Sequence, residues 1–257
     1  MSRFDDIVRF LEYDLRGAGN IEAEKRTGDV LSRLSDVVGT YRPGVIVKAG
    51  IGRGTLLLEM VRLFTESHIV VVEPSFLLIH DFIKLHGGDE MLSRVKFING
   101  DFKLFPVDYY KADLLVCVDY LDIQEIGPVI DEFRRALQFD GIFFLGQVVL
   151  HDGDLDGVYD DFMREIHPLH TDYYLVEDLK TVLDLKEFSF IKGDIVRYDE
   201  DLDRKTGHLR GFYPGEGKDH REVIDRYRKE LETYYSIKDA TVSEPYFLGI
   251  FQRRKMK

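Results

Sequence analysis

The stretch Val45-Ile46-Val47-Lys48-Ala49-Gly50-Ile51-Gly52-Arg53-Gly54-Thr55 decides the fold of this 257-residue chain. A short, nearly continuous apolar run ends in three alternate glycines and gives way to a helical pattern, Gly54 to Phe64. Continuous rather than alternating apolarity marks a strand buried on both faces. Four more such runs follow: Ile69–Val72, Val95–Ile98, Leu114–Val118 and Ile142–Val149. Helical stretches near Ser75 to Leu85 and Gln124 to Leu137 separate them, and such lengths between buried strands mean parallel crossovers. The expectation is an α/β protein with a doubly wound, mostly parallel sheet.

Working outward, Phe4, Ile7, Val8, Leu11 and Leu15 recur at helical spacing, as do Val30, Leu31, Leu34, Val37, Val38 and Tyr41, before Pro43 and Gly44. Residues 1–43 therefore read as an N-terminal helical cap and 44–257 as the sheet domain. Beyond the fifth run, helices are expected near Leu155 to Ile166 and Val176 to Leu183, then a strand near Phe188 to Tyr198. A Gly-rich loop to Lys218, a helix from Asp219 to Tyr235 and a last strand near Tyr246 to Gln252 complete the chain. Residues 198–236 read as an insertion or lid with the helix before that strand.

The composition is that of a globular protein, 44% hydrophobic and 32% charged, with 35 Lys and Arg against 47 Asp and Glu and a net charge of −12. An acidic surface repels phosphate backbones, which disfavours nucleic acid as a partner. The single cysteine, Cys117, lies in an apolar run and cannot form an internal disulfide, which fits a reducing cytoplasm. The first ten residues mix charges and lack the apolar core of a signal peptide. Gly141 to Leu150, the longest uncharged apolar-rich stretch, is about half of what a membrane-spanning helix needs.

The glycine turn is where open α/β sheets bind ligands, at the carboxyl ends of the strands. The second strand ends in Glu73, 19 residues beyond Gly54, the spacing at which an acid accepts both hydroxyls of a ribose. The third strand runs into Asn99-Gly100-Asp101, which places another carboxylate on the same rim. A dinucleotide fingerprint needs G-x-G-x-x-G, whereas position 55 is Thr and the third glycine is Gly54.

The pattern G-x-G-x-G resembles motif I of the class I S-adenosylmethionine-dependent methyltransferases, and the likeness runs from about Val45 to Val149. It implies a seven-stranded sheet with an antiparallel last strand. It also implies that Gly50, Gly52 and Gly54 wrap the methionine part of S-adenosyl-L-methionine, and that Glu73 holds the ribose. Asp101 and Phe102 would meet the adenine, S-adenosyl-L-homocysteine being the product. Asp119, in Ala112-Asp113-Leu114-Leu115-Val116-Cys117-Val118-Asp119-Tyr120, resembles motif IV, and Leu137 to Gly141 resembles the turn before strand five. Lys48 departs from the pattern, which carries an acid there to help hold the donor's amino group. A like charge about 4 Å from that ammonium would cost up to ~4 kcal/mol at an effective dielectric of about 20. Lys48 must therefore point away, pair with an acid, or reach the ligand's carboxylate.

Weaker signals are read conservatively. Asp152 to Gly157 matches the first half of a calcium loop, but Met163 stands where the bidentate Glu should be, so an acidic loop capping the next helix is expected. His167, His170 and Asp172 have a loose metal-like spacing interrupted by Pro168 and read as solvent-facing loop residues. No metal site is expected. The tyrosine pairs 109/110, 173/174 and 234/235 read as amphipathic core edges. Serine-nucleophile, P-loop and zinc patterns are absent from the sequence.

Methyl transfer is an in-line displacement that demands alignment, exclusion of water and a base where the acceptor is neutral. His151 and Asp119 are the candidate catalytic residues, since a histidine titrates near neutrality. Tyr120, His208, Arg210 and Tyr213 are candidates for closing over a small-molecule acceptor. A homodimer is an assembly the sequence leaves open. Two alternatives stand beside the methyltransferase reading: a catalytically degenerate module of the same fold that binds a nucleoside or a protein, and a nicotinamide-dependent oxidoreductase, which Thr55 disfavours.

Overall fold

Val45–Ala49 is a strand with its last four residues buried. It lies inside the sheet, pairing in parallel with its neighbours on both sides. The computed structural model describes residues 2–16, 21–212, 220–238 and 240–255. Two helices, α1 (Arg3–Arg16) and α2 (Ile21–Thr40), precede this strand, β1. Then follow α3 (Thr55–Leu63), β2 (His68–Glu73), α4 (Phe76–His86), β3 (Val95–Asn99), β4 (Ala112–Val118), α5 (Ile126–Ala136) and β5 (Leu137–Val148). The remainder comprises α6 (Val158–Ile166), α7 (Val176–Leu185), β6 (Phe188–Asp201), α8 (Leu202–Phe212), α9 (His220–Tyr234), β7 (Ile237–Lys238) and β8 (Thr241–Arg253).

The strand order is β3-β2-β1-β4-β5-β8-β6. All neighbours pair in parallel until β8, which is antiparallel to both β5 and β6. The expected doubly wound sheet with an antiparallel last strand is present. Seven strands form the path, and the two-residue β7 adds an eighth off its side by pairing with β8. The order reverses direction between β1 and β4, the topological switch point at which such sheets leave a crevice.

Each face of the sheet has its own core. On one, Leu57 and Met60 of α3, Tyr159 and Phe162 of α6 and Val223 of α9 pack with Leu34 of α2. On the other, Phe133 of α5 and Leu179 and Leu183 of α7 pack with Ile7 and Leu11 of α1. The N-terminal helices thus join the two cores and roof the carboxyl ends of β1, β4 and β5. Among the described residues, no helix is long and apolar enough to cross a membrane.

Two segments differ from expectation. Residues 202–212, read as part of a Gly-rich loop, form α8: Asp201 accepts from the Arg204 amide, and Leu202, Thr206 and Leu209 bury one helical face. Tertiary burial outweighs the low propensity of Gly207 and Gly211 there. Leu137 to Gly141, read as a turn, lies within β5, with Asp140 taking up the irregularity at φ 64.

Candidate active site

β1 delivers the chain to Gly50, Gly52 and Gly54, all in the left-handed region at φ 75, 61 and 87. Gly50 is held from behind, its amide donating to Val72 O at 2.7 Å. Lys48 is 3% exposed, and its ammonium donates to Gly50 O and, at 3.4 Å, to Ile51 O. It therefore points into the turn and organises it. Burial lowers its pKa to about 8, against the pull of Glu73.

Glu73, at the end of β2, is fully buried, and both carboxylate oxygens are engaged. Oε2 accepts from the Ile51 amide at 2.8 Å and from the Tyr120 hydroxyl at 3.2 Å, while Oε1 accepts from the Ser75 amide at 2.9 Å. Burial pushes its pKa up, and these hydrogen bonds oppose the rise. The Gly52 amide donates to the same Tyr120 oxygen at 3.3 Å. Tyr120 is 3% exposed, and a Cβ added to Gly50 would lie 2.1 Å from its ring. At Gly52, an added Cβ would meet nothing within 4 Å.

Phe102 is fully buried and stands edge-on to the Tyr120 ring, centroids 5.3 Å apart. Asp101 caps the short turn after β3, accepting from the Lys103 amide at 2.9 Å. The residues expected to take a nucleoside are thus together at the switch point, with the phenol of Tyr120 among them.

Beside this crevice is a cavity of about 340 Å³, the size of a small-molecule site. Its floor comes from the ends of β1, β4 and β5, including Lys48, Gly52, Asp119, Tyr120 and Gln147, and its roof from α1, α2 and α8. Asp119 sits at φ 57, 3.6 Å from the Arg26 guanidinium. Arg26 also meets Glu244 at 3.2 Å, and Lys205 donates to Glu244 from the other side at 2.5 Å. Glu244 is fully buried, and its pKa is lowered by these two cations and the Tyr159 hydroxyl, which together outweigh burial.

The other expected residues are distributed unevenly. His208 lines the cavity, with Nε2 2.8 Å from Asp14 Oδ1. His151 does not line it; its Nδ1 accepts from the Gly153 amide at 3.1 Å. Arg210 is exposed on α8 outside the lining, and Tyr213 lies outside the described residues. Asp154 caps α6 by accepting from the Val158 and Tyr159 amides.

His167 and His170, read as solvent-facing, are instead buried, at 4% and 6% exposure. His167 lines the cavity against the Phe10 ring, and burial lowers its pKa to about 3. His170 Nε2 is 2.7 Å from Asp160 Oδ1. The turn at Pro168 folds both imidazoles inward because each finds an aromatic or carboxylate partner there.

Arg26, Asp122, Gln147, Glu200 and Lys205 also line the cavity; the last four fall in the segments 119–122, 147–152 and 198–218, the ends of strands four, five and six where the sequence places acceptor-facing residues, and Arg26 falls in none of them. Only the topology brings these segments together.

No protein-family model matches the sequence, and no curated protein matches it. Solved structures do match. The YcgJ protein of Bacillus subtilis superposes with a TM-score of 0.71 at 14% identity, covering 89% of this chain and 100% of its own. A SAM-dependent methyltransferase from Geobacter sulfurreducens, solved with S-adenosyl-L-homocysteine, gives 0.57 at 16% identity over 88% and 91%. The cyclase SpnF gives 0.58 at 18% identity over 87% and 81%. At such identities the likeness is one of architecture, and by architecture this chain has the class I S-adenosylmethionine-dependent methyltransferase fold.

Proposed function

We propose that the protein is an S-adenosylmethionine-dependent methyltransferase acting on a small-molecule acceptor. One observation carries the reading: the Tyr120 hydroxyl donates to Glu73 and accepts from the Gly52 amide, the hydrogen bonds a ribose hydroxyl would make between a strand-end acid and a glycine turn. The polar groups therefore suit a nucleoside, and the Tyr120 side chain must rotate away before one enters.

On this proposal Glu73 takes the ribose and Gly52 leaves the backbone approachable. Phe102 and Asp101 flank the adenine, and Gly50 and Gly54 shape the turn. S-adenosylmethionine, when bound, supplies a methyl group activated by a sulfonium. The chain's own part is to align the acceptor in the adjoining cavity and keep water out, with α1, α2 and α8 as its roof. Asp119, Tyr120 and His208 stand in that wall as acceptor-facing candidates. His151 would need to leave its contact with Gly153 to serve as a base.

Tyr120 also favours a second reading, in which the fold serves as a module without donor chemistry and the phenol permanently fills the crevice. Calorimetry with S-adenosyl-L-homocysteine, and separately with NADH, decides between them. The methyltransferase proposal expects the first to bind and the second not to, with Glu73→Gln weakening the first about tenfold through loss of a charge-assisted hydrogen bond. Binding of neither by the folded protein supports the module; binding of NADH alone supports an oxidoreductase.

A further inference from the structure

The charged groups of the cavity wall are matched almost completely. Asp14 is met by His208, Asp119 by Arg26, and Glu200 by Arg26 at 3.9 Å and Arg204 at 3.6 Å. Lys205 is met by Glu244, and Lys48 by the carbonyls of its own turn. Asp122 is the exception. Among the described residues, no cation lies within 4 Å of its carboxylate, whose hydrogen bond comes from its own backbone amide. Its pKa is pushed up to about 6, chiefly by burial, with His170 and Lys205 opposing from a distance and Asp119 reinforcing.

Its placement is nevertheless rigid. The Asp122 carbonyl accepts from the Thr171 amide at 2.6 Å and from the Thr171 hydroxyl at 2.8 Å, so the backbone beneath the carboxylate is pinned to the segment after α6. Gln147 makes a second, independent observation. It lines the same cavity at 4% exposure, and among the described residues its side-chain carbonyl oxygen has no hydrogen-bond partner. A buried acceptor without a donor is costly, as is a carboxylate without a cation. Both deficits are met by one kind of ligand group, a cationic N–H donor. Between them the wall is apolar, with Phe10, Val30, Ile123, Met163 and Leu209.

We infer that the cavity receives a small organic amine, its ammonium held by Asp122 and Gln147 and its hydrocarbon body by the apolar wall. Resting on the methyltransferase reading, this makes the acceptor an amine compound. An alcohol of the same shape offers Asp122 no charge, and a carboxylate meets it with repulsion.

Calorimetry on the full chain without any donor tests this with phenethylamine, 2-phenylethanol and phenylacetate at pH 8, where Asp122 is ionised. The amine is expected to bind at least about tenfold more tightly than the alcohol, and phenylacetate not at all. Asp122→Asn is expected to erase the preference for the amine while the alcohol's affinity stays. Because the Thr171 bonds go to the backbone carbonyl, that variant keeps its anchoring, and its melting curve verifies the fold. Gln147→Met, which removes the unpartnered acceptor at similar volume, is expected to weaken the amine severalfold. Equal affinities for amine and alcohol in the wild type, absence of amine binding, or an undiminished preference in Asp122→Asn overturns the inference. S-adenosyl-L-homocysteine binding without amine preference removes this inference alone, whereas amine preference without S-adenosyl-L-homocysteine binding removes the methyltransferase reading and leaves the amine site standing.

Discussion

The glycine crevice and the cavity beside it share Gly52, Tyr120 and Lys48, yet they satisfy their polar groups in opposite ways. In the crevice the protein supplies its own partners: Glu73 has three donors, Lys48 two carbonyls, and the face of Gly50 a tyrosine ring. In the cavity, among the described residues, the Asp122 carboxylate lacks a cation and the Gln147 side-chain carbonyl lacks a donor. A self-satisfied site is stable until a ligand displaces the internal occupant, whereas an unsatisfied one carries a cost until a ligand arrives. One fold thus holds two adjoining sites with different thermodynamic origins for binding.

The largest effect that separates them is expected at the glycines. Gly50→Ala places a Cβ 2.1 Å from the Tyr120 ring at φ 75. The left-handed backbone alone costs about 1–2 kcal/mol, and the clash with a buried ring raises the total to about 3 kcal/mol or more. Gly52→Ala, at φ 61 with open space around it, should cost only about 1 kcal/mol of stability and act mainly on nucleoside affinity. Urea denaturation of the two variants measures the gap. Equal losses would mean that Tyr120 does not occupy the crevice in solution.

A smaller effect is expected from Tyr120→Phe, which keeps the ring and removes the hydroxyl shared by Glu73 and Gly52. Glu73 retains the Ile51 and Ser75 amides, so the stability loss should be about 1–2 kcal/mol. S-adenosyl-L-homocysteine should bind up to about tenfold more tightly, because an internal competitor for Glu73 has gone. Weaker calorimetric binding would make the hydroxyl a ligand contact rather than a competitor.

What was legible in the sequence follows the same division. The doubly wound parallel sheet and the gathering of Gly50, Gly52, Gly54, Glu73 and Phe102 on its rim follow from short-range patterns, namely buried strands, glycine spacing and strand ends; the antiparallel last strand follows from the family resemblance. From the sequence Tyr120 reads as an acceptor contact; that its ring turns back onto Gly50 depends on β1 and β4 being neighbours. The cavity was legible only as a rim, the ends of strands four, five and six, within which no pattern singled out a residue. Asp122, Gln147, Arg26 and Lys205 have no common spacing, and α8 was hidden because Gly207 and Gly211 mimic a loop where long-range burial of Leu202 and Leu209 forms a helix. Pro168 similarly suggested an exposed turn, while His167 and His170 lie in the interior through contacts with Phe10 and Asp160, which are remote in sequence.

The smallest effect tests the claim that the cavity carries an unmet cost. Asp122 has a folded-state pKa of about 6 against an ordinary 3.8. A carboxyl whose pKa is raised by folding favours the native state fully below pH 3.8, and that contribution disappears as pH rises through 6. Above pH 6 the ionised group is therefore a burden in the folded protein. Asn keeps the shape without the charge, so Asp122→Asn should be more stable than wild type by about 1–2 kcal/mol at pH 7.5 and equal to it near pH 4. Taking the difference between the two proteins at each pH cancels the titration of every other group except those coupled to Asp122, namely Asp119, His170 and Lys205. Urea midpoints at the two pH values suffice. A variant less stable than wild type at pH 7.5 would show that Asp122 already has a partner inside the protein, and the contrast between the two sites would fail at the cavity.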